Sequence, residues 1–438
     1  MGNGSMRISV VGSGYVGTTL AASLAELGYE TVAIDIDEEI VASLNAGESP
    51  IHEPGLDRLL SNHTGERLQA TVDHDRIVDT NITFLAVGTP SNPDGSIDAS
   101  GLIHAARDVG EALRGKDSYH LVVIKSTVTP DIVQEQVIPA LTEAAGRSLG
   151  EYLGVAVNPE FLREGSAVDD FFNPDKIVLG TDEDARAEEL LRELYQPLIE
   201  RSQASVITTG LAEASLIKYA NNAFLAVKLS FINDLGNICK AYGVDTYEVA
   251  DAIGLDHRIG AAYLRAGLGW GGSCLPKDTA ALLQAARDRD YRPSMIEAAI
   301  EVNERQPQRF LSLLESQLSV PHKRIAVMGL AFKSGTDDIR ESRSIPVIEG
   351  LLSRDADVVA YDPNPGAVAA MQERFPEVDY ANSPEEALIG AEAVCFLTDW
   401  PAFAELDDVF QQMDRPLVID GRRIVKPRDG LEYHGLSW

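Results

Sequence analysis

Along this chain, short apolar runs alternate with stretches whose apolar residues recur at helical spacing. The first run, Arg7–Val11 (RISVV), ends in glycines and gives way to a helical pattern over Tyr15–Leu27, which predicts strand, turn and helix. Thr31–Ile36 (TVAIDI) reads as the next strand, and runs at Ile82–Val87, Leu121–Ile124, Val155–Val157 and Lys176–Leu179 alternate with helical segments. That order predicts a mostly parallel, doubly wound sheet. From about Ser205 to Gln306 the texture changes, because Leu211–Tyr242 is rich in Ala, Leu, Lys and Asn and shows no strand pattern. Pro307 and Pro321 flank an amphipathic stretch, after which Arg324–Met328 (RIAVM) restarts the alternation, with strands at Val358–Tyr361, Ala393–Leu397 and Leu417–Ile419. The predicted class is α/β: two Rossmann-like doubly wound domains, residues 6–204 and 318–438, joined by a central helical domain, 205–306. Met1–Ser5 (MGNGS) reads as a lead segment outside the fold.

At 438 residues the chain exceeds what one core usually holds, in keeping with several domains. Its 37 Lys+Arg against 68 Asp+Glu give a formal charge of −31, which repels nucleic acid and anionic membrane surfaces. Any site for an anionic ligand must therefore be locally positive, built from backbone N–H groups, Lys or Arg. A surface this acidic suits a protein kept dispersed in concentrated salt and predicts a halophilic source. Three cysteines, at 239, 274 and 395, are too few and too odd for a disulfide framework. With no signal-peptide pattern and no apolar span, the expected location is the cytoplasm.

The chemistry concentrates in a few segments. Gly12, Gly14 and Gly17 form GSGYVG directly after the first strand, and Asp35 closes the second. A tight turn, close backbone approach and helix packing, with a carboxylate for a ribose 2′-OH, predict dinucleotide binding and favour NAD over NADP. Gly267–Asp278 (GLGWGGSCLPKD) crowds small residues up to Cys274, so a ligand can reach the thiol. Cys239 in a helical stretch and Cys395 in an apolar strand read as core, the usual fate of a cysteine. Lys218 and Asn222 lie one helical turn apart in KYANNAF and can both donate to an oxyanion, although a solvated lysine is the commoner meaning of such a pair. Glu160 in NPEFLREG and Thr127 in KSTVTP follow apolar strands, where open α/β sheets bind ligands. Lys277, Lys333, Arg340, Arg343 and Arg422 are further cations, each with surface ion pairing as its ordinary alternative. LAFKSGTDDIRES opens the second alternation without a GxGxxG, so no second dinucleotide site is expected.

Taken in order, GSGYVG, STVTP, NPEFLREG, KYANNAF, GWGGSCLPKD and FKSGTDDIRES resemble the UDP-glucose and GDP-mannose dehydrogenase family from about Met6 to Arg423. NPEFLREG is similar to the UDP-glucose branch. The resemblance implies an NAD-dependent four-electron oxidation of a nucleotide sugar through a thiohemiacetal and thioester on Cys274, with no metal. It implies that Lys218 and Asn222 stabilise oxyanions, that Asp278 activates water or moves protons, and that Thr127 and Glu160 order the water. Tyr15, Val16, Glu164 and Arg340 would join the glycines, Asp35 and Thr127 at the cofactor, and Phe161, Leu162, Tyr263, Gly267, Phe332, Lys333 and Arg422 would join Lys218 and Asn222 at the sugar nucleotide. Arg258 would reach a partner's site in a homodimer built on the helical middle. Ile40 departs from the basic residue common near the adenosine ribose. GDP-mannose or a UDP-N-acetylhexosamine is the alternative substrate, and a hydroxyacid dehydrogenase or a nucleotide-binding protein without turnover is the alternative function. Uronate for surface polysaccharide is the implied product use.

Overall fold

A computed structural model describes residues 6–406 and 409–438, so the lead Met1–Ser5 lies outside the described residues. The chain divides into two compact units, Met1–Ala220 and Asn221–Trp438.

The first unit is built on eight strands: β1 (Arg7–Val11), β2 (Glu30–Ile34), β3 (Leu68–Thr71), β4 (Ile82–Leu85), β5 (His120–Ile124), β6 (Leu153–Val157), β7 (Lys176–Gly180) and β8 (Ser205–Thr209). They lie in the order β3-β2-β1-β4-β5-β6-β7-β8. All neighbours are parallel except β6 and β7, which meet antiparallel at Val157 and Gly180. Strands β4, β5 and β6 are buried along their whole length, which is why they read as unbroken apolar runs. Helices cover the sheet, and Ile8, Val10, Leu24, Phe84, Leu121, Leu191 and Leu194 share one core. Strand β8 corrects the expectation that the chain is helical from Ser205 onward: Ser205–Thr209 pairs parallel with β7 before the Leu211–Tyr242 helix begins.

The second unit carries β9 (Arg324–Met328), β10 (Asp357–Tyr361), β11 (Asp379–Tyr380), β12 (Ala393–Phe396), β13 (Leu417–Asp420) and β14 (Glu432–Gly435). Their order is β11-β10-β9-β12-β13-β14, and every pair is parallel. Separate apolar clusters cover the two faces, one around Phe310, Ile325 and Val347, the other around Met328, Phe396 and Phe403. Pro307 does not flank a helix as expected but sits inside the Ser294–Glu315 helix. Burial of Phe310, Leu311 and Leu314 on that helix outweighs the roughly 3 kcal/mol a mid-helix proline costs.

Candidate active site

In the first unit the turn after β1 is shaped by its glycines. Gly12 holds φ +91°, and a Cβ on Gly17 would stand 1.8 Å from the Gly12 carbonyl oxygen. Nothing lies within 4 Å of where a Cβ on Gly14 would be, so the turn is open at the point of closest backbone approach. The Tyr15–Glu26 helix starts there with no side-chain cap and no acidic residue in its first turn, leaving its N–H groups for a phosphate. Asp35 accepts from the Ser13 N–H at 2.5 Å, which pins the turn to the end of β2. These residues fit a dinucleotide. Val16 is half-buried against the core, and the Tyr15 hydroxyl is committed to Glu53.

Beyond the turn, β5 and β6 end in a buried polar cluster. Lys125 Nζ donates to Asn158 Oδ1 at 2.8 Å, Tyr195 Oη donates to the same oxygen at 2.6 Å, and Asn158 Nδ2 donates to the Val178 carbonyl. Lys218 Nζ meets Glu160 Oε1 at 2.7 Å, both side chains being buried, and Glu160 Oε2 accepts from the Leu162 N–H at 2.6 Å. Burial by itself would raise the Glu160 carboxyl, but Lys218, the Leu162 N–H and Lys125 outweigh it and hold it below the usual range. Burial brings Lys125 down to about 8, with Glu160 opposing and Lys218 assisting. Lys218 and Lys176 also stand over the Phe161 ring, at 5.5 and 4.1 Å. Thr127 is half-buried, and its carbonyl accepts from Thr89 Oγ1 at 3.0 Å. Glu164 is half-buried near Tyr15.

In the second unit, Cys274 is the residue before the Leu275–Arg287 helix, with Ser273 Oγ 3.5 Å from its sulfur. Cys274 is half-buried, whereas Cys239 is 6% and Cys395 0% exposed. Burial raises the Cys395 thiol far above its ordinary value, as an inert core cysteine should show. Asp278, in the first turn of the same helix, is buried and accepts from Asn222 Nδ2 at 2.6 Å and Lys277 Nζ at 2.7 Å. Asn222 thus shares the Leu211–Tyr242 helix with Lys218 and reaches the carboxylate nearest in sequence to the thiol.

The glycine loop ahead of Cys274 is threaded among other loops. A Cβ on Gly271 would stand 2.0 Å from the Glu341 carbonyl oxygen, and one on Gly272, at φ +81°, 2.7 Å from the Phe332 ring. Gly267 donates to Asn233 Oδ1 at 2.8 Å and accepts from Gln306 Nε2, while Asn303 exchanges two bonds with the Trp270 backbone. Arg422 Nη1 donates to the Gly269 carbonyl at 3.1 Å, and the Gly272 N–H donates to the Arg340 carbonyl at 3.0 Å. The structure therefore gathers Gly267, Cys274, Phe332, Arg340 and Arg422 on adjoining loops. Lys333 is half-buried with Nζ over the Phe332 ring, and Tyr263 is half-buried at φ +63°. Arg340 pairs with Asp338 and Arg343 with Glu304 and Glu341. Arg258 is exposed, clasped by Asp256, between the exposed Leu255 and Ile259.

The buried amides Asn233, Asn303 and Gln306 were not singled out from sequence. Their signal is a polar side chain on a helix face otherwise made of core residues, as Asn303 and Gln306 share a face with Phe310.

Three domain descriptions match the chain in order: the NAD binding domain of the UDP-glucose/GDP-mannose dehydrogenase family over residues 6–199, its central domain over 212–305 and its UDP binding domain over 326–427. The chain belongs to the UDP-glucose/GDP-mannose dehydrogenase family. It is similar to the UDP-glucose 6-dehydrogenase AglM of Haloferax volcanii, 56% identical over 98% of this chain and 100% of that protein. It is also similar to the UDP-glucose 6-dehydrogenase TuaD of Bacillus subtilis, 41% identical over 98% of this chain and 93% of that one. Among solved structures, a UDP-glucose dehydrogenase from the archaeon Pyrobaculum islandicum superposes with a TM-score of 0.91 at 41% identity, covering 100% of this chain and 99% of that one. As a family member the chain is a dehydrogenase whose cofactor is NAD.

Proposed function

We propose that this dehydrogenase oxidises the primary alcohol of UDP-glucose to the carboxylate of UDP-glucuronate, consuming two NAD and one water per sugar. The observation that carries the reading is Cys274, half-open at a helix N-terminus beside Asp278 while the other two cysteines are core. Relatives named UDP-glucose 6-dehydrogenase that match along nearly the whole chain support the choice of sugar.

The Gly12–Gly17 turn and Asp35, with Thr127, Glu164 and Arg340, would hold NAD, which would supply the hydride acceptor for both oxidations. Cys274 Sγ adds to the aldehyde carbon, forming a C–S bond, and the carbonyl oxygen becomes a thiohemiacetal hydroxyl or oxyanion facing Lys218 and Asn222. At the thioester level water attacks the same carbon, the C–S bond breaks and the thiolate leaves. Asp278 takes the water's proton, with Thr127 and Glu160 ordering that water. The covalent bond keeps the aldehyde from escaping and makes the second oxidation intramolecular. Phe161, Leu162, Tyr263, Gly267, Phe332, Lys333 and Arg422 bind the sugar nucleotide.

The same reading includes three domains, residues 6–204, 205–306 and 318–438, and a homodimer through the helical middle. Phe224, Phe231 and Ile238 are exposed at a seven-residue period on the Leu211–Tyr242 helix, the pattern of a seam awaiting a second helix. Arg258 stands among exposed apolar residues on the same helical region, as a residue donated to a partner's site would. Three cysteines, too few and too odd in number for a disulfide framework, fit a cytoplasmic location, and the −31 charge fits a halophilic source like that of the Haloferax relative.

The test counts NADH per UDP-glucose, at low and high salt. Two are expected; one would point to a simple hydroxyacid-type dehydrogenase, and turnover only with GDP-mannose or UDP-N-acetylhexosamines would replace the substrate. Cys274→Ser is expected to bind both ligands yet release no acid, and wild-type product formation by it would end the covalent mechanism.

A further inference from the structure

Glu53 lies outside every motif used above, in the IHEPGLD segment between two helices of the first unit. Its side chain is buried, at 4% exposure, with no Lys or Arg among its bonded partners. An ionised carboxylate in that position must be satisfied by hydrogen bonds. The Tyr15 hydroxyl donates to Oε2, the Gly165 N–H donates to Oε2 at 2.8 Å, and the Ala167 N–H donates to Oε1 at 2.7 Å. The Gly165 N–H is also 3.0 Å from the Tyr15 oxygen, so the three groups close a triangle.

The two sides of this triangle belong to different parts of the first unit's chemistry. Tyr15 is the first helical residue after the glycine turn, and Gly165 ends the loop that carries Glu160, Phe161 and Leu162. The start of that loop is held separately, by the Lys125–Asn158–Tyr195 cluster. At its far end the Glu53 carboxylate takes the Gly165 and Ala167 N–H groups, beside the Arg163–Asp170 pair, which is exposed on its arginine side.

We propose that Glu53 is a positioning residue that ties the dinucleotide turn, through Tyr15, to the loop bearing Glu160, so that both are held in register as one piece. A glutamine cannot replace it: its NH2 would confront an N–H or O–H donor where the carboxylate presents only acceptors. The inference rests on NAD occupying the glycine turn and not on which sugar is oxidised.

The test is a double-mutant cycle of Glu53→Gln and Tyr15→Phe, read by NADH fluorescence titration, steady-state kinetics and thermal melting. Loss of a hydrogen bond to a buried charge predicts about a tenfold rise in the NADH Kd for Glu53→Gln and several-fold for Tyr15→Phe, with kcat/KM for the sugar falling alongside. Because the two act as a unit, the double variant is expected to bind NADH no worse than Glu53→Gln alone. Glu53→Asp, which restores the charge, is expected to recover part of the affinity. Lowered melting temperatures with wild-type NADH Kd and KM would reduce Glu53 to a structural residue, as would full additivity of the two changes in NADH binding. Should Glu53→Gln fail to fold, Tyr15→Phe alone decides: unchanged NADH affinity overturns the proposal. NADH titration needs no sugar, so an error in the substrate assignment leaves this result readable.

Discussion

The two sheets of this enzyme repeat one topology with opposite chemistry at the same turn. Strands β3-β2-β1-β4-β5-β6 and β11-β10-β9-β12-β13-β14 follow the same order. Each first strand ends in a glycine at positive φ, Gly12 at +91° and Gly329 at +98°, and each glycine presses on the residues just past the fourth strand of its set, Val87 or Thr398. There the likeness stops. Two and five positions on, the first unit has Gly14 and Gly17 and starts a helix, whereas the second has Ala331 and Ser334 and no helix until Ser344. The acid at the end of the second strand also changes its task. Asp35 is half-buried and takes the Ser13 N–H. Asp362 is 3% exposed and takes the Leu330 and Ala331 N–H groups and Trp400 Nε1, so the protein itself consumes the donors a phosphate would need. Strand order therefore supplies a scaffold, and a handful of turn atoms decides whether that scaffold takes a dinucleotide.

The largest test of this contrast is Gly17→Ala. The added methyl falls on the Gly12 carbonyl oxygen, and overpacking of about 3 kcal/mol converts to about a hundredfold loss of NADH affinity by fluorescence titration. Retained affinity would mean that the turn tolerates what the second unit already carries. Next come the paired acids. Asp362→Ala strands two buried N–H groups and is expected to cost about 3 kcal/mol in denaturant unfolding while leaving NADH binding within about twofold. Asp35→Ala is expected to do the reverse, weakening NADH about tenfold with a smaller loss of stability. If both acids behaved alike, the claimed division of labour would be gone.

A smaller effect concerns pH. His120 in β5 is wholly buried against Thr83 and Lys116, and burial, helped by Lys116, lowers its pKa to about 3. Because the unfolded chain binds the proton near 6.5 and the folded one does not, stability is lost as pH falls through that window, about 2 kcal/mol by about pH 5. In the second unit, burial raises Asp362 and Asp420. For them the folded state takes the proton first, so their contribution grows as pH falls toward the ordinary carboxylate value and is lost as pH rises through the raised one. Hydrogen exchange from about pH 7 to about pH 5 should thus loosen β5 before β13. Equal loosening would remove His120 as the cause.

Much of this was readable in advance, for reasons that differ by element. The fingerprint turn was legible because three glycine positions and one acid are local constraints of spacing. Cys274 stood out because small residues surround it, and the structure adds why they are small: other loops occupy the space a side chain would need. Strand β8 went unseen because SVITT is half-exposed at a sheet edge, with little apolar contrast to mark it. Pro307 misled because tertiary packing overrides local propensity. Glu53 was invisible, since a lone acid before a Pro-Gly turn becomes a clamp only when Tyr15 and Gly165, far away in the chain, arrive beside it.

The crowding of Gly271 and Gly272 against Glu341 and Phe332 also bears on how such a protein changes over generations. A mutation that gives either glycine a side chain must be matched by a retreat in a loop some sixty to seventy residues later in the chain. Inherited variation there is expected to come in coordinated pairs, and the approach to the Cys274 sulfur is preserved by atoms that neither partner is free to add.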